Sequence, residues 1–210
     1  MKWLQNTILF FGAILLYLHI YLHFKISIFN EFTNVDDVCK QKIMSSIYYK
    51  LPFVFDGITV LKKINLDLCK KDKIYTKQYE KMPLLEPSVR FFTNDTIYEL
   101  KKNKYIILHR NLECRNFYMV HTGKVTVYCI HPKYKDNLIL NDPKSNKNIE
   151  FIEKNPEILR VDLYPNSILF IPNYWYVFVK ANEKSIVEKV QYKTILNEVN
   201  FLYDKYGNSK

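Results

Sequence analysis

The chain has 210 residues, 48% apolar and 16% aromatic, enough for one ordinary core plus a short extra segment, which excludes a disordered chain. Its formal charge of +10 invites a nucleic-acid reading, yet only Arg90, Arg110, Arg115 and Arg160 of its 31 basic residues are arginine. Phosphate and base edges are gripped best by the planar arginine fork, so no nucleic-acid partner is expected from this lysine-weighted charge.

The first element is ILFFGAILLYLHIYLHF, residues 8–24, without a formal charge. As a helix rising 1.5 Å per residue, residues 3–24 would reach about 33 Å, against about 30 Å for a hydrocarbon core. Trp3 at one end and Tyr17 and Tyr21 toward the other suit the two membrane interfaces. No small-x-small cleavage site follows the run, so residues 1–29 are expected to be an uncleaved, single-pass signal-anchor rather than a removed signal peptide.

Residues 30–50 are expected to be a helical linker. Thr33 or Asn34 can cap it, and Val35, Val38, Ile43, Met44 and Ile47 recur at helical spacing. LPFVFDG (51–57) then reads as a short strand leaving through Asp-Gly, and residues 62–82 as lysine-rich loops with a short helix. Strands are expected at 88–92, 96–100 and 105–109, then at 116–131 as two strands broken by Thr122-Gly123. Residues 133–155 hold Asn, Asp, Pro and Lys without periodicity and read as a loop. Four more strands follow at 158–163, 168–171, 175–180 and 185–191. In residues 193–210 a stripe of Ile195, Leu196, Val199, Leu202, Tyr203 and Tyr206 ends at Gly207, a helix expected to pack on the domain or pair it into a homodimer.

Many short strands with turn signals define a mainly β fold, a double-stranded β-helix (jelly-roll) barrel over residues 51–192 with flanking helices and one preceding membrane helix. The cysteines, Cys39, Cys69, Cys114 and Cys129, contain no C-x-x-C pair, which argues for buried thiols rather than a zinc knuckle or dense disulfide framework.

Four stretches carry a family resemblance. LPFVFDG is similar to an early P-x-V-x-x-G strand. NFYMVHTGKVTVYCIHP matches an N…G-x-K…P strand pair through Asn116, Gly123 and Pro132. LYPNSILFIPNYW is similar to L-x-P-G-D-x-L-x-I-P-x-x-W, with Asn166 in place of the glycine. SIVEKVQY is similar to the returning strand. Together, over roughly residues 50–192, they resemble the cupin-like branch of the JmjC dioxygenases, which contains asparaginyl and lysyl hydroxylases. Asn is the next-best residue for a left-handed turn, so Asn166 keeps the pattern.

The resemblance implies Fe(II) held by a His-x-Asp pair and a distant His, with 2-oxoglutarate and oxygen on the open positions. Counted back from Asn116, the His-x-Asp positions are Arg110 and Leu112; a one-residue slip gives His109 and Asn111. The distal position, after Trp175 and Tyr176, is Val177, and no histidine follows His131. The 2-oxoglutarate lysine position is Val125, while alternation turns Lys124 to the other face. His121 and His131 fall at strand ends and are not expected to converge with His109.

The expectation is therefore a vestigial pocket of Leu112, Val125, Trp175 and Val177, with His109 and Asn111 the only metal candidates and no catalytic residue. Val177 is expected to point into the barrel. No cofactor is expected. The function implied is a membrane-anchored, catalytically inactive cupin-like domain that binds or scaffolds an unidentified protein partner. The alternative is an Fe(II)/2-oxoglutarate hydroxylase with a rearranged site around His109.

Overall fold

The computed structural model describes residues 2–34, 40–56, 87, 92–194 and 197. Expectations for residues 57–86 and for the C-terminal helix, apart from Asn197, lie outside the described residues. Within them run α1 (Lys2–Phe24), β1 (Thr33–Asn34), α2 (Lys40–Tyr49), β2 (Phe53–Asp56), β3 (Phe92–Leu100), β4 (Tyr105–Arg110), β5 (Arg115–Thr122), β6 (Val125–Ile130), a 3-10 turn (Pro132–Asn137), α3 (Asn146–Lys154), β7 (Leu159–Leu163), β8 (Ser167–Pro172), β9 (Tyr176–Ala181) and β10 (Ser185–Lys193).

Strands β3 to β10 form two facing sheets, ordered β3-β10-β5-β8 and β4-β9-β6-β7; β2 and β1 extend the first beyond β8. Counted one to eight from β3, the orders are 1-8-3-6 and 2-7-4-5, which is the jelly roll. All strand pairs are antiparallel except β1 with β2.

The strands β6 (VTVYCI) and β8 (SILFIP) are buried at every position, because both faces of each sheet are covered. Between the sheets lie Tyr118, Val120, Val125, Val127, Cys129, Leu163, Leu169, Ile171, Trp175, Val177, Val179 and Val187. Outside the large sheet, Ile43 of α2 packs with Phe53, Phe55, Phe117, Ile168 and Phe170. Outside the small sheet, Ile152 of α3 packs with Leu108, Tyr128, Ile130 and Phe178.

Turn chemistry sets the register. Gly123 turns β5 into β6 at φ +79°, and a Cβ there would stand 2.3 Å from the Lys184 carbonyl oxygen. Asn166 takes φ +73° between β7 and β8, as expected of an asparagine replacing a turn glycine.

Two expectations are corrected. Residues 133–155 are not a plain loop; they hold the 3-10 turn and α3, whose Ser145 cap accepts from the Lys147 N–H and whose Asn148 and Ile152 are buried. A helix this short carries too few turns for its stripe to stand out. Residues 96–100 are the end of one nine-residue strand rather than a strand of their own. The helix α1 forms over 23 residues; among the described residues no helix is long and apolar enough to cross a membrane. Its first turns hold Lys2, Gln5, Asn6 and Thr7, so the apolar stretch is shorter than the helix. Trp3, Ile8, Leu9, Phe10, Phe11, Leu15 and Leu16 are all exposed.

Candidate functional site

The site begins with a bulge. Strand β4 pairs with β9 through Ile106 opposite Val179 and then His109 opposite Val177, so β4 spends three steps where β9 spends two. Without the extra residue, alternation from the inward Ile106 would turn Leu108 and Arg110 inward and His109 out. With it, Leu108 joins the outer cluster against Ile152, and Arg110 lies over the rings of Tyr174 and Tyr176. His109 meets Tyr118 and Lys189 in the interior. Bulges re-aim side chains in this way at the edges of sites. Of the two sequence registers, it is His109 with Asn111 that faces inward.

There His109 is held on both ring nitrogens. Nδ1 lies 2.8 Å from the Ile107 carbonyl oxygen, which can only accept, so Nδ1 carries the proton. Nε2 is then the acceptor, 2.8 Å from Lys189 Nζ and 2.9 Å from the Tyr118 hydroxyl. Tyr118 in turn donates to Asn111 Oδ1 at 3.3 Å. Nearer the 111–114 loop, Gln191 donates to Asn116 Oδ1, and Asn116 Nδ2 donates to the carbonyls of Glu113 and Ile171. That second pair ties the 111–114 loop to the large sheet.

Burial governs the electrostatics. Desolvation, with the neighbouring Lys189 ammonium second, lowers His109 to about 4, so the ring is neutral at physiological pH. Desolvation also lowers Lys189 to about 8, partly offset by the field of Glu113. Burial pushes the Tyr118 hydroxyl well above its usual value. The Cys129 thiol is likewise raised by burial, and that of Cys114 rises to about 11; both cysteines are free.

The remaining sequence candidates are spread along the barrel. Val177 is fully buried in the interior, opposite His109 on one side and Cys129 on the other. Trp175 is also fully buried, and its carbonyl accepts from the Asn111 backbone N–H. Leu112 belongs to the same end, where its N–H donates to Glu113 Oε2. Val125 does not belong there. It is buried beside the Gly123 turn, opposite Leu163 and Ala181, at the far end of the interior. The other two barrel histidines are engaged elsewhere: His121 pairs with Glu188 at 2.7 Å, and His131 accepts from the Lys133 N–H and donates to the Ser27 carbonyl.

Sequence reasoning missed Lys189 and Tyr118. The signal was parity: on β10, Val187, Lys189 and Gln191 share one face, and Val187 belongs to the interior. A Lys and a Gln on a strand ordinarily mark the solvent face, which hid the inward assignment.

An iron site needs several lone pairs aimed at one point, with negative charge to offset the cation. Here Val177 offers no lone pair, Asn111 is an uncharged amide, and the one free lone pair of His109 meets an ammonium at 2.8 Å. Among the described residues no three of His, Cys, Asp and Glu converge. The residues present do not fit iron.

The strand order makes the chain a double-stranded β-helix protein with a cupin-like fold. No family model matches its sequence, and no curated protein does. Among solved structures it is similar to a cupin superfamily protein from Desulfitobacterium hafniense DCB-2, at 8% identity and TM-score 0.34 over 51% of this chain and 72% of that one. It is also similar to a conserved protein of unknown function from Streptococcus pyogenes, at 12% identity and TM-score 0.34 over 50% of this chain and 67% of that one. Likenesses this distant carry no argument about function.

Proposed function

We propose that the protein is a membrane-held binding module built on a dioxygenase-like jelly roll that has lost the iron site. The observation that carries this reading is the Lys189–His109 contact at 2.8 Å, opposite Val177. An ammonium at a histidine's only free lone pair opposes a metal cation by charge as well as by geometry. The buried polar layer is hydrogen-bonded among its own side chains, which fixes their orientation as a recognition site requires.

The membrane half of the proposal rests on α1. Its large apolar side chains are exposed, Trp3 to 79%, and a helix apolar on most sides needs a covering surface. The carboxyl end of α1 is tied to the barrel. Phe24 stacks on Tyr174 at 6.4 Å, Lys25 lies over Tyr48 and Tyr49, and His131 holds the Ser27 carbonyl. These contacts put the 111–114 and 173–175 loops, and so the polar layer, at the end of the barrel nearest α1.

The test is turnover. Full-length protein supplied with Fe(II) and 2-oxoglutarate under air should release no carbon dioxide above a blank. Release that depends on His109 establishes the rearranged hydroxylase instead. An unidentified protein partner and pairing through the C-terminal helix remain part of the same proposal, as the scaffold side of its function.

A further inference from the structure

We infer that the polar layer is an oxyanion-binding site, with Lys189 as its cation and Asn111 as a neutral donor. This deepens the binding reading above and rests on it. Lys189 is only 4% exposed. An ammonium has three N–H groups, yet among the described residues its one hydrogen-bond acceptor is His109 Nε2. No carboxylate forms an ion pair with it among the described residues. Glu113, the acid whose field reaches it, has Oε2 engaged with the Leu112 N–H. Buried charges are ordinarily paired, and one without a counter-charge is costly.

The hydrogen atoms sharpen the point. Because Lys189 donates into the His109 lone pair, the single Tyr118 hydroxyl hydrogen goes to Asn111 Oδ1. That fixes the Asn111 amide with Nδ2 on its other side, where it has no partner among the described residues. Trp175 Nε1 has none either, and both residues are fully buried. Orphaned buried donors are rare and call for an explanation. The surplus among the described residues is of donors: spare N–H groups on Lys189, Asn111 and Trp175, one of them cationic, with no carboxylate at ion-pair distance from Lys189. A water molecule would satisfy a donor but leave the charge uncompensated, whereas an oxyanion answers both. His109, the least buried member of the layer, lies at the barrel end nearest α1. Carboxylate and phosphate share this chemistry, and the experiment separates them.

Trp175 is one of only two tryptophans, the other being Trp3 in α1, so its indole N–H is a resolved reporter. Full-length, ¹⁵N-labelled protein in detergent is titrated with acetate, with inorganic phosphate and, at matched ionic strength, with chloride. The Trp175 signal should shift saturably with acetate or phosphate and not with chloride, the responding arm naming the class. Lys189→Met should weaken the response at least tenfold and Asn111→Leu severalfold; if the first does not fold, the second carries the test. A signal that follows chloride equally, or survives Lys189→Met unchanged, overturns the assignment. A silent indole in protein without 2-oxoglutarate turnover removes the anion site and leaves the binding-module reading standing. A silent indole together with turnover overturns both.

Discussion

At His109 the Lys189 ammonium donates into the one free lone pair, and burial keeps the ring neutral. Its folded value of about 4 lies below the ordinary 6.5, so between these values the unfolded chain binds more protons. This contribution to stability is complete above pH 6.5 and is lost as pH falls through 6.5 toward 4. Denaturant titrations at stepped pH should show a loss of about 2 kcal/mol over that window, which His109→Gln flattens. Lys189 acts in the same sense in a higher window: lowered to about 8, it penalises the fold at neutral pH, and stability rises from pH 8 toward 10.5. The slope over that window should be smaller in Lys189→Met. The same residue explains why restoring ligands alone is insufficient. Val177→His with Asn111→Asp should still purify without metal, because Lys189 continues to hold His109. Adding Lys189→Met to that pair should give about one metal ion per chain by elemental analysis. Of these residues, His109, Asn111 and Val177 were legible from motif spacing, while Lys189 was not, since residue type alone assigns a strand lysine to solvent.

Among the elements, α3 shows how a short helix is positioned by one side chain. Asn148 is buried and holds the Ile139 N–H, the Ile139 carbonyl and the Asp142 carbonyl. Asn148→Ala strips three partners from buried or half-buried backbone groups and should cost about 2–3 kcal/mol in chemical denaturation. A cost under about 0.5 kcal/mol would show that water replaces the amide. This helix escaped the sequence reading because its first turn is Asn146-Lys147-Asn148, and asparagine favours caps and turns over helix interiors. The β4 bulge was equally hidden. It depends on which strand lies alongside, so single-strand alternation shows Ile106, Leu108 and Arg110 as one face when the pairing makes it otherwise. The tight turns were legible, because Gly123 and Asn166 occupy left-handed backbone that few residues tolerate.

For the whole molecule, many short strands with turn signals pointed to a jelly roll, and the strand order in space is that of one. What covers α1 is a question of environment rather than of pairing within the chain. Carbonate extraction of cells expressing the full chain should leave it in the membrane pellet, and removal of residues 2–24 should release it to the supernatant. Recovery of the intact chain in the supernatant would remove the membrane half of the proposal. The chemistry of the barrel remains the central claim, and metal content addresses it most directly. Full-length protein purified from iron-supplied cells should carry well under one-tenth of an iron atom per chain, unchanged by His109→Ala. Stoichiometric iron that disappears on His109→Ala would contradict the account, since it would require His109 to release Lys189 and coordinate a metal beside Val177.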